Sequence, residues 1–176
     1  MEPAIYLITG VMAAGKSTVA QLLAAELERG VHLRGDVFRR MIVSGRADMS
    51  AAPSAEALRQ LELRYRLSAQ AAKLYRAAGF SVVLQDNYYG GQLPAMLALL
   101  EDCPVHLAVL CPRVEVVRQR EAARPKTGYT GFSVETLYED FLRETPRLGF
   151  WVDNSDETPQ QTARRIHDHF RAHPEA

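Results

Sequence analysis

No apolar run in this chain approaches the roughly 18 residues that a membrane-spanning helix requires, so no membrane partner is expected. Neither sign of charge is in excess: 21 Lys and Arg balance 21 Asp and Glu. A neutral chain exerts no global pull on nucleic acid or an anionic membrane, and any basic character must be local. Cysteine is scarce. Cys103 and Cys111 lie near either end of one predicted strand, where extended backbone holds them too far apart to bridge. Free, partly buried thiols in a reducing compartment follow. No signal-peptide pattern precedes the first strand, which makes the expectation a cytoplasmic protein. Internal repeats, low-complexity tracts and linkers are also lacking. The 176 residues therefore read as one domain, long enough to bury a core without staples.

Against these absences stands one specific motif. Gly10-Val11-Met12-Ala13-Ala14-Gly15-Lys16-Ser17 spells G-x-x-x-x-G-K-[ST], a pattern that four fixed positions produce by chance in roughly one chain in a hundred of this length. Its context fits. The β-prone run Ile5-Tyr6-Leu7-Ile8-Thr9 precedes it, and a helical period with Val19, Leu22, Leu23 and Leu27 on one side follows. Strand, Gly-rich turn and helix N-terminus together cradle a polyphosphate. Backbone N–H groups from Gly10 to Thr18 point at phosphate, the helix dipole favours anions, Lys16 adds a charge, and the Ser17 hydroxyl can ligate Mg²⁺.

The rest of the chain alternates strand and helix. Strands are predicted at about 4–9, 31–34, 80–85, 105–110 and 150–152. Helices are predicted at 16–29 with Gly30 as its stop, 36–43, 54–78 with Ser54 as cap and Gly79 as stop, 92–100, 112–123 opened by Pro112, 133–144, and from Pro159 onward behind a Thr158 cap. Leu58, Leu61, Tyr65, Leu67, Ala72 and Tyr75 supply the apolar side of the longest helix. Strands joined by long helical crossovers mean an α/β fold, a parallel sheet covered by helices on both faces as a three-layer sandwich.

Ligands in such sheets bind beyond the carboxyl ends of the strands, and three of those ends carry chemistry. After the second strand, Asp36 lies where a carboxylate faces the γ-phosphate and can take a proton from an attacking hydroxyl; a plain helix cap is the competing use. Arg39 and Arg40, a turn later, can hold an anionic or hydroxyl-rich acceptor. After the third strand, Asp86 ends a mainly apolar run and is assigned to the Mg²⁺ shell beside Ser17, with Asn87, Tyr88 and Tyr89 lining the acceptor pocket. After the fourth, Arg120 and Arg124 are i,i+4 neighbours that can neutralise charge on a transferring phosphoryl group, leading into a lid at about 124–132. His167 and His169 are i,i+2 on a helix and do not form a metal pair; His32 and His106 read as core-edge residues, and Trp151 as packing.

With these residues in place the chain resembles a small P-loop kinase of the group containing chloramphenicol phosphotransferase and the zeta-toxin kinases. Four segments carry the resemblance: residues 10–17, Gly35-Asp36-Val37-Phe38-Arg39, Cys111 to Glu121, and Val152-Asp153-Asn154-Ser155. It implies a five-stranded parallel sheet with the phosphate-loop strand in the middle, ATP as donor, and Asp36 as the base that activates the acceptor hydroxyl. It further implies that Arg120 and Arg124 flank adenine and phosphates, and that about 154–159 forms part of the adenine pocket. Residues 44–79 and 87–100 carry no motif for a particular acceptor.

The reading is an ATP- and Mg²⁺-dependent phosphotransferase acting on a hydroxyl of a small molecule, antibiotic-, sugar- or nucleoside-like. A nucleoside or nucleotide kinase, with Arg39, Arg40, Arg64 and Arg66 meeting an acceptor phosphate, is the same-chemistry rival. A non-catalytic ATP-binding regulatory module is the rival of another class, and a toxin-type sugar-nucleotide kinase a further one.

Overall fold

The computed structural model describes residues 2–50, 52–123 and 133–174. Five strands, β1 (Ile5–Gly10), β2 (Gly30–Arg34), β3 (Ser81–Gln85), β4 (Val105–Leu110) and β5 (Phe150–Val152), form one sheet in the order β2-β3-β1-β4-β5. Every pairing is parallel. The helices are α1 (Lys16–Glu26), α2 (Asp36–Arg40), α3 (Ala55–Ala77), α4 (Gln92–Ala98), α5 (Val114–Ala122), α6 (Val134–Glu144) and α7 (Pro159–Ala172).

The register shows why the strands carry near-continuous apolar runs. His32, Val83, Tyr6 and His106 form one row across four strands, so their side chains share a face. That face meets α1 and α7: His32 bonds Gln21 of α1, and Tyr6 and His106 pack on Phe170 of α7. The next row, Leu33, Leu84, Leu7 and Leu107, points to the other face. There α3 packs on the same two strands, β2 and β3, that α1 covers from the first side. A strand covered twice has no polar side, which is the usual signature of parallel sheets. Ile5, Leu7, Ile8, Val82, Val83 and Leu84 are completely buried, each contributing about 1.5–3 kcal/mol by leaving water.

Several element boundaries differ from the sequence expectation, each for a local reason. Helix α1 stops at Glu26, where Leu27 turns to extended backbone, rather than running to 29. Gly30 is not its stop. It is the first residue of β2 and lies so close to α1 that a Cβ there would sit 1.9 Å from the Ala24 carbonyl oxygen. Pro112 does not open α5, whose cap is Arg113. The face assigned to α3 is also wrong in part: Leu58, Leu67 and Tyr75 are exposed, while Ala57, Tyr65, Ser68, Ala69 and Ala72 are buried. Mostly small residues, with Tyr65, face the sheet, and Leu58, Leu67 and Tyr75 are left outside. The caps at Ser54 and Thr158 form as expected, the latter as a full capping box with Gln161. Cys103 and Cys111 are both free thiols. No helix among the described residues is long and apolar enough to cross a membrane.

Candidate active site

Because all five strands run the same way, their carboxyl ends share one edge. There lie the loop after β1, the Gly35-Asp36 turn after β2, the Asp86-Asn87 turn after β3, and Asp153-Asn154 after β5. Between the first three of these opens a cleft of about 800 Å³.

Its floor is the loop at residues 10–17. Gly10 has a φ of 143°, and a Cβ there would lie 2.1 Å from the Leu110 carbonyl oxygen, so only glycine lets the chain leave β1 beside β4. Ala13, at φ 64°, is the sole non-glycine residue with positive φ among the described residues, a strained conformation of the sort that concentrates at ligand-binding turns. The Ala14 carbonyl is pinned by two donors, Asn154 Nδ2 at 3.0 Å and an Arg120 guanidinium nitrogen at 3.2 Å. A trans peptide points its N–H opposite to its carbonyl, so the Gly15 N–H is turned away from both. Arg120 also reaches the Asn154 carbonyl at 3.0 Å. Lys16 Nζ donates to the Gly10 and Val11 carbonyls at 2.9 and 2.8 Å and so sits across its own loop.

These residues fit a polyphosphate. Helix α1 begins with no side-chain cap and no acidic residue in its first turn, which leaves its amide dipoles facing the cleft. Space around Gly15 is open, with no heavy atom within 4 Å of a Cβ built there. Lys16, Ser17, Thr18, Met12 and Ala13 all line the cleft, as does Arg120. Val11 and Ala14 are buried beneath the loop. For Mg²⁺ the protein offers the Ser17 hydroxyl; no group of three His, Cys, Asp or Glu side chains suited to a metal occurs among the described residues.

The opposite wall comes from β2, α2, α3 and the β3–α4 turn. Asp36 is the first residue of α2, with Gly35 rather than Asp36 in the cap position. Arg40, one turn on, pairs with its Oδ2, and Arg34 Nε lies 3.5 Å from its Oδ1. Arg40 therefore holds one carboxylate oxygen, while Oδ1 lies beside Arg34 without a hydrogen bond. Arg39 lines the cleft too, paired with Asp48.

Asp86 lines the cleft, and it also has a partner that the sequence did not indicate. It is 3% exposed, and both its oxygens are taken by Arg64 of α3: Nε bonds Oδ2 at 2.6 Å and an Nη bonds Oδ1. The Asn87 amide adds a bond to Oδ1 at 2.7 Å. Three donors thus meet the carboxylate, two at Oδ1 and one at Oδ2, while Asp86 still lines the cleft with Ser17. Burial works against the Arg64 guanidinium, but Asp86 outweighs it and holds Arg64 above its ordinary pKa.

Tyr88 departs from its assigned role. Asn87 lines the cleft, but Tyr88 is completely buried, tied to Thr9 through its amide at 3.0 Å and its carbonyl at 3.3 Å. It is a core residue packed on Tyr65. Burial pushes the Tyr65 phenol up, which keeps it a donor to the Asn87 carbonyl at 3.0 Å. Tyr89 faces a separate cavity of about 190 Å³ beside Leu137 and Phe141. Arg124 and the lid at 124–132 lie outside the described residues. Arg66 is exposed and does not line the cleft, whereas Arg64, grouped with it in the sequence, does. Arg34, Asp48 and Gln85 line the cleft without having been singled out. Arg34 and Gln85 were findable, since each ends a strand at the ligand-binding edge.

A five-stranded parallel sheet of this order, with a phosphate loop after its central strand, defines a P-loop kinase-like domain. The chain belongs to the AAA domain family, whose model matches residues 5–141. No curated protein matches the sequence. Solved structures share the fold over nearly the full length. A sugar kinase from Janibacter sp. HTCC2649 is 18% identical with a TM-score of 0.69, covering 98% of this chain and 96% of that one. The tunicamycin resistance protein of Deinococcus radiodurans is 19% identical at 0.70, covering 95% of each. The Mycobacterium tuberculosis APS kinase, in complex with AMPPNP and APS, is 16% identical at 0.72, covering 97% and 98%.

Proposed function

We propose that this protein transfers the γ-phosphoryl group of ATP to a hydroxyl of a small molecule. The observation that carries the reading is one cleft holding both the phosphate loop with Lys16 and Ser17 and, across from it, the Asp36 carboxylate. A module that only bound nucleotide would need the loop but no carboxylate flanked by two arginines on the opposite wall. The fold shared with the sugar kinase and the APS kinase supports it.

The residues divide the work as phosphoryl transfer demands. The amides at 15–18 and the Lys16 ammonium hold phosphate oxygens, and Arg120, already bound to the loop at Ala14, adds a positive charge beside them. Ser17 would hold Mg²⁺, which when bound would supply charge neutralisation at the phosphates. Asp36 orients the acceptor hydroxyl and accepts its proton as the oxygen attacks. Arg40 bonds that carboxylate through Oδ2, leaving Oδ1 for the hydroxyl.

An ADP-release screen over antibiotics, sugars, sugar nucleotides and nucleosides tests the reading. An acceptor that raises ADP release above the solvent rate is expected. On that acceptor Lys16→Ala abolishes turnover, and Asp36→Asn lowers kcat by about 10²–10⁴-fold while still binding a non-hydrolysable ATP analogue. A near-normal rate for Asp36→Asn would remove Asp36 from the role of base. Absence of any stimulating acceptor would favour a regulatory ATP-binding module.

A further inference from the structure

The acceptor wall carries more positive charge than its own carboxylates neutralise. Arg34 and Arg40 share Asp36, Arg39 and Arg46 share Asp48, and Arg64 pairs with Asp86. Of these, Arg34, Arg39, Arg40 and Arg64 line the cleft with three carboxylates, one positive charge in excess among the described residues, and Arg46, outside the lining, adds another at Asp48.

The pairs differ in kind. Asp48 and Arg40 are open to water, 56% and 60% exposed, and pairs with an exposed partner contribute little stability. Arg64 and Asp86 are 13% and 3% exposed. Arg64 spends Nε and one Nη on the carboxylate, the side-on bidentate contact of a planar guanidinium. Its other Nη therefore lies on the far side of the guanidinium carbon from Asp86, and no hydrogen bond of the described residues uses it. Arg34, in register beside Gln85, has a buried Nε that likewise makes no hydrogen bond. A buried ion pair adds little stability over apolar packing of the same volume. Here it fixes a half-used guanidinium at the edge of a ligand cleft.

We infer that the acceptor carries, besides its reactive hydroxyl, an oxyanion (carboxylate, phosphate or sulfate) received by Arg64, with Asp86 as the positioning residue. The inference rests on the kinase reading and names the substrate class for it: hydroxylated acids or phosphate or sulfate esters, not neutral alcohols.

Matched acceptors that differ by one anionic group test it by ADP release at saturating ATP and Mg²⁺: sugar acids against sugars, hydroxy acids against alcohols, nucleoside monophosphates against nucleosides. The anionic member of a productive pair is expected to show at least tenfold higher kcat/KM. Arg64→Gln should erase that preference through KM. Because Arg64→Gln leaves Asp86 buried without its partner, the double variant R64Q/D86N, which removes both charges, is measured beside it, with folding followed by circular dichroism. A merely structural role would depress both members of a pair alike. Turnover on neutral acceptors equal to that on their anionic partners overturns the inference and leaves the kinase reading standing. If no acceptor releases ADP, wild-type protein saturated with a non-hydrolysable ATP analogue is titrated calorimetrically with inorganic phosphate and sulfate. A saturable site lost in R64Q/D86N supports the oxyanion site even as the kinase reading falls. A site absent from the wild type, or unchanged in the double variant, overturns it.

Discussion

Gly35 shows how a single residue connects two walls of the cleft. A Cβ at that position would lie 2.2 Å from Asp86 Oδ2, the oxygen that Arg64 Nε bonds, while the Gly35 amide donates to the Gln85 carbonyl at 3.1 Å. Only hydrogen fits between the β2–α2 turn and the buried ion pair. Gly35→Ala must therefore displace Asp86, and overpacking of this kind costs about 1–3 kcal/mol. A urea melt of the variant reads that loss. Gly91→Ala, where nothing lies within 4 Å of the added Cβ, is the control and should stay within about 0.5 kcal/mol of wild type. Equal midpoints for the two variants would mean that the Gly35 contact relaxes freely. At this scale the donor half of the site was legible, because the loop at 10–17 is contiguous and its chemistry follows from backbone amides and one lysine. Asp36 was legible by its position after a strand. The partner of Asp86 was not. Arg64 is 22 residues away in sequence, and nothing local marks which arginine will reach a buried carboxylate.

Elements were read best where their ends are chemical and worst where their faces depend on a neighbour. Thr158 and Gln161 satisfy each other's backbone at the start of α7, with Pro159 in the first turn, and all three residues announce themselves in sequence. Thr158→Ala removes the acceptor for the Gln161 amide and should cost about 1 kcal/mol, read as a lower denaturation midpoint with an unchanged slope. An unchanged midpoint would show that α7 is held by Ile166 and Phe170 alone. Helix α3 is the contrary case. Of the expected face, Tyr65 and Ala72 are buried but Leu58, Leu67 and Tyr75 are exposed, and Ala57, Ala69 and Ser68, the last bonded back to the Arg64 carbonyl at 2.8 Å, complete the buried side. Close helix–sheet approach selects small side chains, and hydrophobicity alone does not report the distance between layers. Misplacing that face also hides Arg64, which turns toward Asp86 on the sheet side.

Across the whole molecule, the doubly covered sheet buries a titratable ring. His106 is 8% exposed, stacked on Phe170 with ring centroids 4.7 Å apart and tilted on Tyr6 at 5.0 Å. No hydrogen bond reaches its Nδ1. Burial lowers its pKa below the ordinary value of about 6.5. The unfolded chain therefore takes up the proton first. The stability that the neutral ring contributes is complete above about pH 6.5 and is lost as pH falls toward and through the lower, folded value. Denaturation midpoints measured from pH 7.5 downward should fall less steeply for His106→Phe than for wild type. Parallel curves would show that the ring titrates without cost to the fold. His32 and His169, whose pKa values are also lowered by burial, keep a residual slope in the variant.

By itself the sequence determined the α/β class, the parallel sheet and the glycine-rich loop between β1 and α1, because these rest on contiguous patterns: a strand, a turn and a helix start within a few residues. Only the tertiary structure decided that Asp86 holds Arg64, that Tyr88 belongs to the core, and that four arginines gather on one wall of the cleft. Those facts depend on side chains from β2, α2, α3 and the β3–α4 turn meeting at one edge of the sheet. Which carboxylate neutralises which guanidinium is settled by distance and burial in three dimensions, and neither quantity is written in the spacing of residues along the chain.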